Sequence, residues 1–121
     1  TIREGLKRLR NSDADYAATV TSFPFPIQRA VRITSKGRLE MIASEHAETR
    51  SQDLEETYHD AGQLYWGRVA AFEGESPILA GGVTLPLYVP RSRVQDIDTL
   101  EDWERAEAMF NALAAIDSGS D

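Results

Sequence analysis

Apolar positions recur along the chain with two different periods. Ile2, Leu6 and Leu9 fall on one face at helical spacing, and Asn11-Ser12-Asp13 follows with residues that end helices. This predicts an α-helix from Ile2 to about Asn11. "YAATVTSF" (16–23) is rich in β-branched and aromatic residues and predicts a buried strand. "AVRITSKGRLEMI" (30–42) predicts two short strands around a Ser-Lys-Gly turn. Gln63 to Gly67 predicts a further strand, and "VTLPLYVP" (83–90) one interrupted by Pro86, hence an edge strand or a bulge. Trp103, Ala106, Phe110 and Leu113 return to helical spacing. Thr99 and Asp102 stand where a capping-box pair would start that helix.

Between these segments the chain is punctuated. Pro24 and Pro26 exclude regular central-strand pairing and predict a stiff, extended exit from the first strand. In open α/β sheets ligands sit at that end of a strand. "SEHAETRSQDLEETYHDAG" (44–62) is polar and predicts irregular backbone with one helical turn near Leu54 to Thr57. "EGESPILAGG" (73–82) predicts a loop or short helix. A helix that feeds a buried strand is an α/β signal. The expected organisation is one domain over residues 1–116 with a frayed tail at 117–121. No internal repeat is visible.

Composition narrows the function classes. The 121 residues are 41% hydrophobic and 27% charged, which suits a single soluble globular domain. No apolar run reaches transmembrane length, so no membrane partner is expected. The formal net charge of −7 disfavours nonspecific nucleic-acid binding. Cysteine is absent, which removes disulfides and thiolate metal sites and fits a reducing compartment. Two histidines without cysteine do not make a structural zinc site.

The strongest chemical signal is "VQDIDTLEDW" (94–103). The expected place of the pair is a strand's exit: if Val94 to Asp98 is extended, Asp96 and Asp98 point to one side with Cα atoms roughly 6.5–7 Å apart. Like charges so close disfavour each other's ionisation unless a cation intervenes. Magnesium is the natural remedy, since it takes one or two carboxylates and completes its octahedron with water and phosphate oxygens. A second reading stands beside it, in which Asp96 or Asp98 only caps the following helix.

Three separated stretches carry a resemblance. "RSQDLEETYHDAGQLYWG" (50–67) and "RVQDIDTLEDWERAEAMF" (93–110) resemble the C-terminal half of the bacterial CMP-sugar synthetases. "VTSFPFPIQRA" (20–30) points, within that CMP-N-acylneuraminate synthetase family, to the pseudaminic acid cytidylyltransferase branch. The resemblance implies an α/β fold with a mixed sheet flanked by helices, the C-terminal part of a nucleotide-diphospho-sugar transferase (Rossmann-like) fold. It implies transfer of CMP from CTP to an acidic nine-carbon keto sugar, with release of pyrophosphate and Mg2+ as cofactor. It assigns the metal and the catalytic role to Asp96 and Asp98. It also implies a cytoplasmic homodimer. The family opens with a loop rich in Gly, Ser, Arg and Lys that grips CTP, and no stretch here resembles it. The expectation is therefore a C-terminal portion that does not turn over CTP alone. A non-catalytic dimerisation or interaction domain on the same scaffold is the alternative.

Other candidates attach to the same motifs. Arg50 is able to fork onto a sugar carboxylate, or to pair on the surface with Asp53 or Glu48. Gln52 shares its motif. His59 is a candidate substrate contact or proton acceptor, and equally a hydrogen-bonded structural histidine. Asp60 and Gln63 are candidates for sugar hydroxyl or acetamido groups. Tyr65 and Trp66 alternate, so one should line a pocket and the other pack inside. Phe25 and Gln28 are candidates for the acyl-bearing end of the sugar or for a dimer interface.

Overall fold

The computed structural model describes residues 1–119. It divides into two compact units: Thr1–Thr21 with the described residues from Asp60 onward, and Ser22–His59.

The larger unit is built on a three-stranded sheet of order β4-β1-β5. β1 (Tyr16–Ser22) is central, and six of its seven residues are buried. It runs parallel to β5 (Thr84–Tyr88), with Ala17 opposite Leu85 and Thr19 opposite Leu87. β4 (Tyr58–Gly67) lies on its other side and makes the sheet mixed. α1 (Ile2–Arg10) covers one face. Leu9 packs there with Ala14, Ala17 and Leu87, and Leu64, Trp66 and Leu85 close the cluster. Gly5 permits this approach. A Cβ on it would lie 2.6 Å from Trp66 Cδ1 and 2.7 Å from Leu87 Cδ1. Trp66 Nε1 donates to Ile2 O at 2.8 Å, which satisfies the one polar atom of the indole.

On the other face Tyr16 meets Phe72 edge-on, with ring centroids 5.2 Å apart. Phe72 belongs to α2 (Val69–Glu73), a short helix just before the segment where a loop or helix was expected. Arg68 anchors this connection. Its guanidinium donates to the carbonyls of Ala14, Leu9 and Ser12 at 2.7–2.9 Å, taking up the C-terminal end of α1.

β5 is an edge strand, as Pro86 predicts. Tyr16 N bonds Val83 O and Val89 N bonds Val20 O, so the odd-numbered residues of β5 turn their backbone toward β1. Pro86 therefore turns outward, where its missing N–H costs no ladder bond. Its carbonyl accepts from Arg8 Nη1 at 2.7 Å.

α3 (Leu100–Ser118) starts at a complete capping box. The Thr99 side chain accepts from Asp102 N, and the Asp102 carboxylate accepts from Thr99 N. The helix reaches Ser118, past the boundary at 116, because Ala112 to Ile116 offers no breaker. Ser120 and Asp121, the end of the expected tail, lie outside the described residues. No residue of α3 is buried. Ala106 and Leu113 are half-buried, whereas Trp103 and Phe110 are 53% and 73% exposed.

The smaller unit holds the hairpin of β2 (Val31–Ile33) and β3 (Leu39–Met41), paired antiparallel around Gly37 at φ +71°. Val31, Ile33, Leu39 and Ile42 are exposed. The polar stretch carries two 3₁₀ turns, Ser44–His46 and Ser51–Asp53, rather than the one expected at 54–57. Leu54 is already extended, at ψ 135°, which leads the chain into β4.

Candidate functional site

β4 is longer than the segment predicted, and it is not a regular strand. Gly62 takes φ +66° in its middle, a conformation that glycine adopts without strain. The two amides that follow, Gln63 N and Leu64 N, both donate to Thr19 Oγ1, at 3.3 and 3.0 Å. The Thr19 hydroxyl donates in turn to Leu64 O at 3.3 Å. This local doubling of two residues against one is the arrangement of a β-bulge. It reverses the alternation of the strand. Before Gly62, His59 and Ala61 are half-buried on either side of exposed Asp60, and after it Leu64 and Trp66 are half-buried on either side of exposed Tyr65.

The reversal brings Asp60 and Tyr65 together. Tyr65 OH donates to Asp60 Oδ2 at 2.5 Å, and Asp60 Oδ1 accepts from Gly62 N at 2.8 Å. The hydrogen bond to the Asp60 side chain, with partial burial and the nearby negative charge, raises the Tyr65 hydroxyl above the ordinary tyrosine range. Trp66 is the aromatic that packs inside and Tyr65 the one that faces out. Gln63 Nε2 donates to Arg93 O at 2.7 Å. That bond ties β4 to the segment that leads to Asp96. Sequence reasoning missed Thr19, Gly62 and Arg93 as positioning residues. Gly62, a glycine inside a strand pattern, is the one that carried a signal.

Asp96 and Asp98 are both exposed. They do not lie at a strand's exit, as expected. β5 ends at Tyr88, a 3₁₀ turn follows at Arg91–Arg93, and the pair sits in the irregular stretch between that turn and α3. Neither aspartate caps the helix, since Thr99 holds that position. The Asp102 carboxylate instead accepts from both Asp98 N and Thr99 N, which fixes the backbone immediately beside the pair. Bonds from the Thr99 hydroxyl and from these amides hold Asp102 below the ordinary carboxylate range. Beside the pair, Ile97 joins Trp103 and Phe110 around an apolar concavity of about 490 Å³.

Among the described residues no three His, Cys, Asp or Glu side chains converge as a metal cage. Asp96 and Asp98, both exposed, offer the carboxylate oxygens that magnesium takes beside water and phosphate.

The remaining candidates lie in the smaller unit. Arg50 pairs with Asp53, Nε to Oδ2 at 2.9 Å, with both side chains largely exposed. Gln52 is exposed on the same turn. Phe25 is 78% exposed and lines a cavity of about 190 Å³ with Phe23, Leu54 and Glu55. Gln28 donates to Glu55 O at 3.2 Å, and its buried Oε1 has no hydrogen-bond partner. The ring of half-buried His59 lies 4.8 Å from that of Phe23.

The fold is α/β, a mixed sheet flanked by helices, and it is consistent with a nucleotide-sugar transferase-like fold. No family model matches the chain. Relatives do. A pseudaminic acid cytidylyltransferase of Campylobacter jejuni subsp. jejuni serotype O:2 is 31% identical over 109 residues, 90% of this chain and 47% of the relative. The serotype O:23/36 protein of the same name matches equally. A Helicobacter pylori protein named pseudaminic acid cytidylyltransferase and UDP-2,4-diacetamido-2,4,6-trideoxy-beta-L-altropyranose hydrolase is 35% identical over 88 residues, 73% of this chain and 16% of its own length. The chain is a homologue of the C-terminal part of the pseudaminic acid cytidylyltransferases, and it spans about half the length of the Campylobacter relatives it matches. No helix among the described residues is long and apolar enough to cross a membrane.

Proposed function

We propose that this chain is the C-terminal portion of a magnesium-dependent cytidylyltransferase that joins CMP from CTP to pseudaminic acid or a related nonulosonic acid. The observation that carries the reading is the match over 90% of the chain to proteins of that name. The anomeric hydroxyl attacks the α-phosphorus of CTP, and pyrophosphate leaves. Catalysis of this kind is mostly positioning and charge stabilisation. Asp96 and Asp98 hold the metal. When bound, magnesium polarises the phosphate oxygens.

The sugar end is assigned to β4. The Asp60 carboxylate, shared with the Tyr65 hydroxyl and the Gly62 amide, is fixed as an acceptor for sugar hydroxyl or amide groups. The bond from Gln63 to Arg93 O keeps this strand in register with the approach to Asp96. Arg50, Gln52, His59, Phe25 and Gln28, all in the smaller unit, are separate candidates for sugar contacts. In the whole protein CTP is gripped by a loop that these residues do not contain, so residues 1–121 alone are inactive. The whole protein works in the cytoplasm as a homodimer. The exposed Val31, Ile33, Leu39 and Ile42 of the hairpin supply apolar surface for such an interface.

The test is pyrophosphate release from CTP and pseudaminic acid, with and without magnesium, by the whole protein and by this chain. Magnesium-dependent release by the whole protein alone is expected. CMP-sugar formation by the 121 residues, or no release by the whole protein with pseudaminic or N-acetylneuraminic acid, overturns the reading.

A further inference from the structure

Two threonines stand two residues apart on β1, on one side of the sheet, and both are buried: Thr19 is 0% and Thr21 1% exposed. Their hydroxyls differ. Thr21 Oγ1 has no hydrogen-bond partner among the described residues. Thr19 Oγ1 is fully used. It accepts from Gln63 N and Leu64 N and donates to Leu64 O, which fills the one donor and two acceptor positions of a hydroxyl. All three bonds go to β4.

Consecutive amides of a regular strand point to opposite sides. Gln63 N and Leu64 N meet at a single oxygen, so the Thr19 hydroxyl holds the backbone that follows Gly62. Two functional candidates hang on this bulge. Asp60 accepts from Gly62 N at 2.8 Å and from Tyr65 OH. Gln63 donates its Nε2 to Arg93 O at 2.7 Å, and Arg93 stands three residues before Asp96.

We propose that Thr19 is a positioning residue for both ends of the candidate site: one buried hydroxyl sets the bulge that aims Asp60 at the sugar and Gln63 at the backbone leading to the carboxylate pair. Valine has nearly the same shape and no hydroxyl. In this place it leaves two amides without an acceptor. β4 then relaxes toward regular alternation, which parts Asp60 from Tyr65 and turns Gln63 away from Arg93. Sugar and magnesium affinity fall together, through a side chain buried from both. The link to sugar and magnesium rests on the proposed reaction. The link from Thr19 to Tyr65 rests on the hydrogen bonds alone.

Thr19→Val, Thr19→Ser and Thr21→Val, each made in the whole protein, test it with two readouts. One is the half-saturating concentration of sugar and of magnesium in pyrophosphate release. The other is the difference that adding Tyr65→Phe makes to the ultraviolet titration of each variant. Thr19→Val is expected to raise both half-saturating concentrations at least about tenfold, more than it lowers the limiting rate. It should also bring the Tyr65 hydroxyl down toward the ordinary range near 10. Thr19→Ser keeps the hydroxyl and should stay close to the parent in both readouts. Thr21→Val removes a hydroxyl that bonds nothing and should match the parent. Parent-like half-saturation in Thr19→Val overturns the proposal, and so does a rise for only one of the two ligands. An unchanged Tyr65 titration in that variant overturns it as well. An equal loss in Thr19→Ser or Thr21→Val also does, since packing and not the Thr19 hydroxyl would then be the cause. If Thr19→Val does not fold, Thr19→Ala takes its place under the same criteria. If the whole protein releases no pyrophosphate, the proposed reaction fails, and the Tyr65 titration still decides the role of Thr19.

Discussion

Tyr65 and Asp60 share a 2.5 Å hydrogen bond although they stand five residues apart in one strand, a spacing that regular alternation sends to opposite faces. The bond exists because Gly62 resets the alternation between them.

The bond has a titration signature. Tyr65 donates to a carboxylate, so its neutral form is favoured and its pKa is raised. Stability from this pair is fully present below the ordinary tyrosine pKa near 10 and is lost as pH rises through the raised value. The difference between the ultraviolet titrations of the chain and of a Tyr65→Phe variant should report a hydroxyl ionising above the ordinary tyrosine range near 10. Asp60→Asn should move that difference down toward the ordinary value. A Tyr65 difference already at the ordinary value in the unsubstituted chain would show that the hydrogen bond is absent in solution.

Gly62 offers a second test, since a Cβ there meets no atom within 4 Å. Any loss on substitution comes from the left-handed backbone alone. Gly62→Ala should destabilise the chain by about 1–2 kcal/mol, Gly62→Asn by less, and Gly62→Val by more. Urea unfolding of the three variants gives the order. A Gly62→Ala variant as stable as the parent would remove the bulge as the cause of the Asp60–Tyr65 contact.

The start of α3 predicts a response to acid. The Asp102 carboxylate is held below its ordinary range, chiefly by the Thr99 side chain and then by the Asp98 and Thr99 amides. Its contribution is present above the unfolded carboxylate pKa and is lost as pH falls through the lowered value. Helical ellipticity should therefore drop on acidification below about pH 4, and less so in Asp102→Asn. Thr99→Ala should weaken the helix by about 1 kcal/mol at neutral pH. Acid curves that superimpose for Asp102→Asn and the parent would show that the box does not form.

Much of this fold was legible because local signals agreed with it. Pro86 announced an edge, Thr99 and Asp102 announced a helix start, and Ser-Lys-Gly announced a hairpin. The parts that escaped depend on distant partners. β4 was read only from Gln63, because "YHDAG" is polar, and its extension is held by pairing to β1. Parity across Gly62 was not readable, since it depends on Thr19, 44 residues away from Gln63 in sequence. Trp103 and Phe110 recur at helical spacing, and both are exposed on α3, because helical spacing records an apolar face and not what covers it. Asp96 and Asp98 were placed beside a helix start correctly and beside a strand end incorrectly, since the 3₁₀ turn at Arg91–Arg93 has no apolar period.

That displacement sharpens the prediction for the carboxylate pair. An irregular segment has no strand neighbours to hold its register. The order beside Asp96 and Asp98 comes from the Asp102 carboxylate on the Asp98 amide and from Gln63 on Arg93 O. Removing a charge and loosening its support should therefore differ. In the whole protein, Asp96→Asn and Asp98→Asn should each lower pyrophosphate release by at least about a hundredfold at saturating magnesium. Gln63→Ala keeps both charges and releases only the backbone, so it should raise the magnesium concentration needed for half-maximal rate more than it lowers the limiting rate. Initial rates across a magnesium titration separate the two behaviours. Full activity in either asparagine variant would exclude the pair from the metal site. A Gln63→Ala variant that loses only limiting rate, with its magnesium dependence unchanged, would place Gln63 on the sugar rather than behind the carboxylates.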